Sequence, residues 1–125
     1  MVWQVQGRLD EAVARFHQCL AMFHELEDPW GTAWTLLGLG EAYRQQERSD
    51  DALACLDRSL KMYDDLGYPL GRAKVLSSRG LVLEERGERQ LAIVAWREAV
   101  EIFRYLGASE SSKVEAWLRD RDNGR

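Results

Sequence analysis

The sequence predicts an all-α protein built from antiparallel helix pairs. Three observations carry this: the chain matches itself at a shift of 40 residues, apolar residues recur at helical spacing inside each period, and only two prolines and ten glycines interrupt 125 residues. A fixed period of this size is the mark of a repeat architecture. Over 7–44 against 47–84, twelve of 38 positions are identical, among them Asp10/Asp50, Ala12/Ala52, Pro29/Pro69, Gly31/Gly71, Ala33/Ala73, Leu36/Leu76 and Gly40/Gly80. Unrelated segments of average composition would share about two or three. The third copy keeps Ala92, Leu106 and Gly107 and retains apolar class elsewhere, with Trp96 for Leu56 and Phe103 for Tyr63.

Each period reads as two helices. Residues 1–6 form a remnant, and helices are expected near 9–26, 31–46, 50–66, 71–86, 89–106 and 110–120, with a frayed tail at 121–125. The clearest stripe is Ala52, Leu53, Leu56, Leu60, Tyr63 and Leu66, the spacing of one helical face. Helix 9–26 inherits that pattern through the shift, and 89–106 through Ala92, Trp96 and Phe103. Ser49, Asp50 and Asp51 offer capping side chains and negative charge at a helix start. Gly67 suits the left-handed residue past a helix end, and Pro69 turns the residue before it away from helix. Ala73, Leu76, Gly80 and Leu83 line one side of 71–86, matching Leu36, Gly40 and Tyr43 in 31–46. Short connections make successive helices antiparallel. The domain is therefore 1–120, with a partial unit at about 1–27, full units at 31–67 and 71–107, and a capping helix at 110–120.

Composition narrows the function. The 17 Lys+Arg and 21 Asp+Glu give a net charge of −4, which argues against a general nucleic-acid binder. No apolar run approaches the roughly 18–20 residues of a membrane span. The start Met1-Val2-Trp3-Gln4 lacks the basic and apolar regions of a signal peptide. Two cysteines do not make a disulfide framework. A cytoplasmic protein is expected.

The phrases Leu39-Gly40-Glu41-Ala42-Tyr43, Ser49-Asp50-Asp51-Ala52-Leu53 and Leu60 resemble the tetratricopeptide repeat. That motif places a small residue in the first helix (Gly40, Gly80), an aromatic three further on (Trp3, Tyr43, with Leu83 in the third copy) and an alanine early in the second helix (Ala12, Ala52, Ala92). A large residue follows (Phe16, Leu56, Trp96), then a small one (Cys19, Ser59, Ala99). Small residues let helices approach and the large one fills the remaining gap. Arg79 stands where the motif prefers leucine and Glu47 where it prefers glycine. The period of 40 looks like a longer-helix subtype common in bacterial signalling proteins. The ending Ala95-Trp96-Arg97-Glu98-Ala99 through Val114-Glu115-Ala116-Trp117-Leu118 is similar to the last repeats of large actinobacterial transcriptional regulators. The resemblance implies a right-handed superhelix of stacked pairs and a scaffold that binds proteins.

No arrangement for catalysis emerges. His17 and His24 lie seven apart on one helix, about 10.5 Å by the helical rise, too far to share a metal. Cys19 sits at a packing slot, and neither it nor Cys55 has a CxxC partner. The pairs Asp50-Asp51, Asp64-Asp65 and Glu84-Glu85 point about 100° apart on a helix and do not face each other. Gly38-Leu39-Gly40 follows no strand and is not a dinucleotide loop. No catalytic residue, metal or cofactor is expected, and a small helical enzyme is the disfavoured alternative.

Binding is the expected activity. In the resembled family the first helix of each pair lines a concave groove. By register these positions are Trp34, Leu37, Glu41, Arg44 and Gln45, then Lys74, Ser77, Leu81 and Glu85, then Val114 and Trp117. The first five also share a helical face away from Leu36, Gly40 and Tyr43. Trp34 is the candidate anchor; the alternative is packing against Trp30 or Trp117. The mixed charges suit a peptide or protein surface with polar and apolar parts, not a dense basic clamp on a carboxylate. No nucleic acid or membrane partner is expected. By register most of the first helix of the first repeat lies upstream of Met1, so helix 9–26 is expected to leave an apolar face uncovered. A longer protein of which this is the C-terminal part, a second copy forming a homo-oligomer through that N-terminal face, or the remnant at 1–6 would each account for it.

Overall fold

The computed structural model describes residues 3–122. Six helices follow in order: α1 (Trp3–Glu25), α2 (Pro29–Gln45), α3 (Ser49–Leu66), α4 (Pro69–Glu85), α5 (Arg89–Leu106) and α6 (Glu110–Asp122). The all-α class and the helix pairs are as the sequence predicts. Positions 123–125 of the expected tail, and the side chain of Trp3 in its aromatic slot, lie outside the described residues. The fold divides into two compact units, 1–67 and 68–125.

Local chemistry sets the helix ends. Pro29 and Pro69 occupy first-turn positions, where a missing N–H costs nothing. Asp28 caps α2, its Oδ1 accepting from the Gly31 N–H at 3.1 Å. Ser49 lies inside α3, and Arg48 takes the cap position without a side-chain capping bond to the backbone; Asp50 and Asp51 still place negative charge on the first turn. Reverse turns recur with one hydrogen bond, in which an N–H five residues on donates to the carbonyls of Phe23, Tyr43, Leu83 and Phe103 at 2.8–2.9 Å. The residue before each donor is left-handed: Glu27 at φ 53°, Glu47 at 62°, Gly87 at 84° and Gly107 at 68°. The glycines adopt this freely, whereas an L residue bears a cost of about 1–2 kcal/mol. Glu27→Gly and Glu47→Gly are therefore each expected to raise stability by about 0.5–1 kcal/mol, after the entropy glycine adds to the unfolded chain. A rise in the urea midpoint at constant slope is the check.

In unit 1, α2 lies between α1 and α3. The α1–α2 pairing is antiparallel: Phe23 abuts Gly31, Phe16 abuts Gly38, and Gln46 reaches back to Asp10 at 2.6 Å. On the other side Gly40 meets Leu56, and Ser59 Oγ donates to the Ala33 carbonyl at 2.8 Å. Ala33, Leu36, Leu39, Ala52 and Leu56 form this core. Unit 2 repeats the design with α4 against α5 and α6 against α5. Gly80 meets the Trp96 indole, whose Nε1 donates to the Ser77 carbonyl at 3.1 Å. Trp96 and Trp117 rings sit 5.4 Å apart. Arg121 closes the end, bonding Glu84 through Nε and Nη2 and lying 5.1 Å over the Trp96 ring.

One feature departs from the sequence expectation and a second accords with it. First, α1 begins at Trp3, so residues 3–6 are continuous with it and not a separate remnant. Gly7 is helical, although its repeat equivalents Glu47 and Gly87 are left-handed turns. Second, α1 has no fully buried residue among those described: Ala12, Phe16, Cys19 and Phe23 are half-buried. Their equivalents are closed off, Ala52, Leu56 and Ser59 at 0% and Ala92, Trp96 and Ala99 at 0% exposure.

Candidate functional site

The α2 face in unit 1 is assembled by helical spacing. Thr32, Ala33, Thr35, Leu36, Leu39, Gly40, Ala42 and Tyr43 turn inward, which leaves Trp34, Leu37, Glu41, Arg44 and Gln45 on the remaining arc. Trp34 is 57% exposed. Its ring meets Phe16 edge-on, centroids 6.5 Å apart, so one edge is braced while the rest of the indole stays open. Leu37 is half-buried beside it and Gln45 is exposed. Arg44 Nη2 bonds Glu41 Oε2 at 3.2 Å, whereas Glu41 Oε1 is buried and accepts no hydrogen bond. A carboxylate oxygen in that position is costly until a donor reaches it.

Behind this face, Tyr43 and His17 share a hydrogen bond at 2.9 Å, and Arg48 lies 4.5 Å over the Tyr43 ring. Burial pushes the Tyr43 hydroxyl above its ordinary range, with Arg48 opposing. Burial likewise raises the Cys55 thiol, which disfavours the reactive thiolate.

In unit 2 the corresponding residues lie on α4 and α6. Lys74 is exposed and reaches Glu110 at 3.8 Å. Ser77 Oγ donates to the Ala73 carbonyl at 2.9 Å, so its hydroxyl is engaged within the helix. Leu81 is half-buried and Glu85 exposed. Val114 is only 2% exposed and serves as packing, although it is the register equivalent of Trp34; a valine is covered at a position where an indole projects. Trp117 is half-buried, between Trp96 and Lys113 Nζ, 5.2 Å over its ring. It presents an edge and not a free face.

Surfaces outside the expected positions also appear. On α5, Leu91 is 54%, Val94 60% and Tyr105 89% exposed, where the preceding repeat carries Asp51, Ala54 and Asp65. That contrast between copies was the available signal. Between α5 and α6 a shallow pocket is lined by Arg97, Val100, Glu101, Arg104, Glu115, Leu118 and Arg119. Arg104 Nε donates to Glu115 Oε1 at 2.8 Å, and this bond holds the Glu115 carboxyl below its ordinary range. Among the described residues no group of three His, Cys, Asp or Glu side chains is placed to hold a metal ion, and no helix is long and apolar enough to cross a membrane.

The sequence profile of the tetratricopeptide repeat matches residues 2–65, which is unit 1 almost entirely. No curated protein matches the chain.

Proposed function

The chain belongs to the tetratricopeptide repeat family, whose repeats generally mediate protein–protein interaction as non-catalytic scaffolds, and from that premise we propose that it binds a peptide or protein segment through its first-helix faces. The observation that carries this reading is Trp34, a braced indole with 57% of its surface open beside Leu37. Large aromatic side chains of this kind anchor interfaces because they bury much area at little entropic cost. Glu41, its side chain 30% exposed and paired with Arg44, adds charge to the same face. Lys74, Leu81 and Glu85 give the face of unit 2 a similar mixture of charge and apolar surface. The preferred ligand is thus a segment with an apolar side chain for Trp34 and Leu37 and polar groups beside the Glu41–Arg44 pair. The phrasing of the last repeat supports a role as the C-terminal repeat region of a bacterial regulatory protein in the cytoplasm.

Selection of displayed peptides against the whole chain provides ligands for the test. Trp34→Ala is expected to weaken the selected peptides at least tenfold, in line with about 1.4 kcal/mol or more for an anchor, while leaving the melting temperature within a few degrees. Undiminished affinity for the variant would remove Trp34 from the site.

A further inference from the structure

We propose that the outer face of α5 pairs with the same face of a second copy of this chain in a twofold-symmetric dimer. This surface is separate from the Trp34 face on α2. The repeat supplies the comparison. At three equivalent outward positions α1 carries Glu11, Ala14 and Glu25, and α3 carries Asp51, Ala54 and Asp65, whereas α5 carries Leu91, Val94 and Tyr105. All nine are exposed. Those on α3 are exposed with helices before and after it in the chain, so the exposure belongs to the position in the repeat. Only α5 fills these positions with large apolar side chains, where the other two copies keep an acid at both ends. Clustered apolar exposure of this kind marks a contact surface.

Spacing sorts the face into two edges. Leu91, Glu98 and Tyr105 recur at intervals of seven, as do Val94 and Glu101, the spacing of a seam between paired helices. Leu91 and Glu98 lie on the edge toward α4, since Glu98 Oε2 accepts from Arg72 Nε at 3.0 Å. Arg97 and Glu101 lie on the edge toward α6, where they line a pocket with Glu115. A twofold axis across the middle of α5, between Ala99 and Val100, runs the two helices antiparallel. It sets Tyr105 of each copy level with Val94 of the other, in the gap between Leu91 and Glu98. The two ends whose acids are replaced are therefore the two ends that meet.

The charges also match themselves. Glu98 and Glu101 bring four carboxylates to the middle of the pair, and Arg72 and Arg97 bring four guanidinia. Arg72 already engages Glu98 within its own copy. The axis places Arg97 of one copy about one residue's rise from Glu101 of the other, twice by symmetry, in reach of a guanidinium–carboxylate pair. A second copy therefore supplies both what the apolar ends and what the charged middle require. The contact runs from Leu91 to Tyr105, about 21 Å by the helical rise, on a helix about 10 Å wide. Such a footprint falls in the small class of interfaces, below about 1,200 Å² in total, which are weak and transient.

Sedimentation velocity on the whole chain, from about 10 µM to about 500 µM, is expected to show a reversible shift from monomer to dimer, as suits an interface this small. Leu91→Asp and Tyr105→Asp restore the acidic character of the earlier copies at exposed positions. Both should keep the helical circular dichroism while weakening self-association about tenfold or more. Arg97→Glu should weaken it similarly, and Glu101→Arg added to the same chain should return it to within about threefold of the original. A chain still monomeric at about 500 µM would leave the stripe to a partner of another kind and overturn the proposal. So would a dimer that persists in both aspartate variants, which would place the contact on another face, such as that of α1. Loss without recovery in the charge-exchanged chain would overturn the antiparallel pairing about this axis.

Discussion

Trp96→Ala is expected to destabilise unit 2 by about 3–5 kcal/mol, the usual range for truncating a fully buried tryptophan. The indole is 0% exposed and stands where three elements meet. It fills the gap left by Gly80 on α4, stacks at a tilt on Trp117 of α6 and lies under Arg121. Its Nε1 also satisfies the Ser77 carbonyl. Alanine removes all four contacts, and the cavity lies between helices already held apart by their neighbours, so collapse recovers little. Domains of this size are stable by only about 5–15 kcal/mol in total, so unit 2 should unfold early in urea while unit 1 keeps its own helical signal. Circular dichroism together with residue-resolved amide hydrogen exchange separates the two.

Gly80→Ala follows with an expected cost of about 1–3 kcal/mol, the penalty for overpacking a filled site. A Cβ at residue 80 would fall 2.2 Å from Trp96 Nε1 and 2.6 Å from Cδ1, closer than atoms can approach. The ring cannot swing away, because Trp117 and Arg121 hold its other side. The strain should therefore depend on the indole: in the Trp96→Phe background the smaller ring leaves room, and the added cost of Gly80→Ala should shrink to a fraction of its value. Urea midpoints of the four proteins in this double-mutant cycle measure the coupling. Strict additivity would show that the close approach of α4 and α5 at Gly80 is not what the glycine serves.

These contacts also explain what the sequence made legible. Packing of one helix into the next imposes the same small and large residues at each period, so the shift of 40 exposes Gly40 with Leu56 and Gly80 with Trp96 before any coordinates. Other features depend on terms that do not repeat. Gly7 looks like the turn glycine Gly87, but glycine permits helix as well as left-handed backbone, and a Cβ there would meet nothing; no neighbour selects the turn, and the backbone ladder of α1 runs through it. Glu27 and Glu47 adopt left-handed backbone because the turn hydrogen bonds to the Phe23 and Tyr43 carbonyls hold them there, against their own preference. Among the candidate site residues, the arc of α2 follows from periodicity alone. Register alone misplaces Val114, since burial there depends on side-chain size. The half-burial of Trp117 depends on Trp96, a partner on the preceding helix. The exposed Leu91, Val94 and Tyr105 were visible only as a contrast between copies.

The most direct measurement of where a ligand binds is chemical-shift mapping on the 14.4 kDa chain with one selected peptide. The account predicts perturbations concentrated at Trp34, Leu37, Glu41 and Gln45, including the Trp34 indole N–H, with Leu91, Val94 and Tyr105 unmoved. A footprint centred on the outer face of α5, with the Trp34 indole resonance unchanged at saturation, would contradict it.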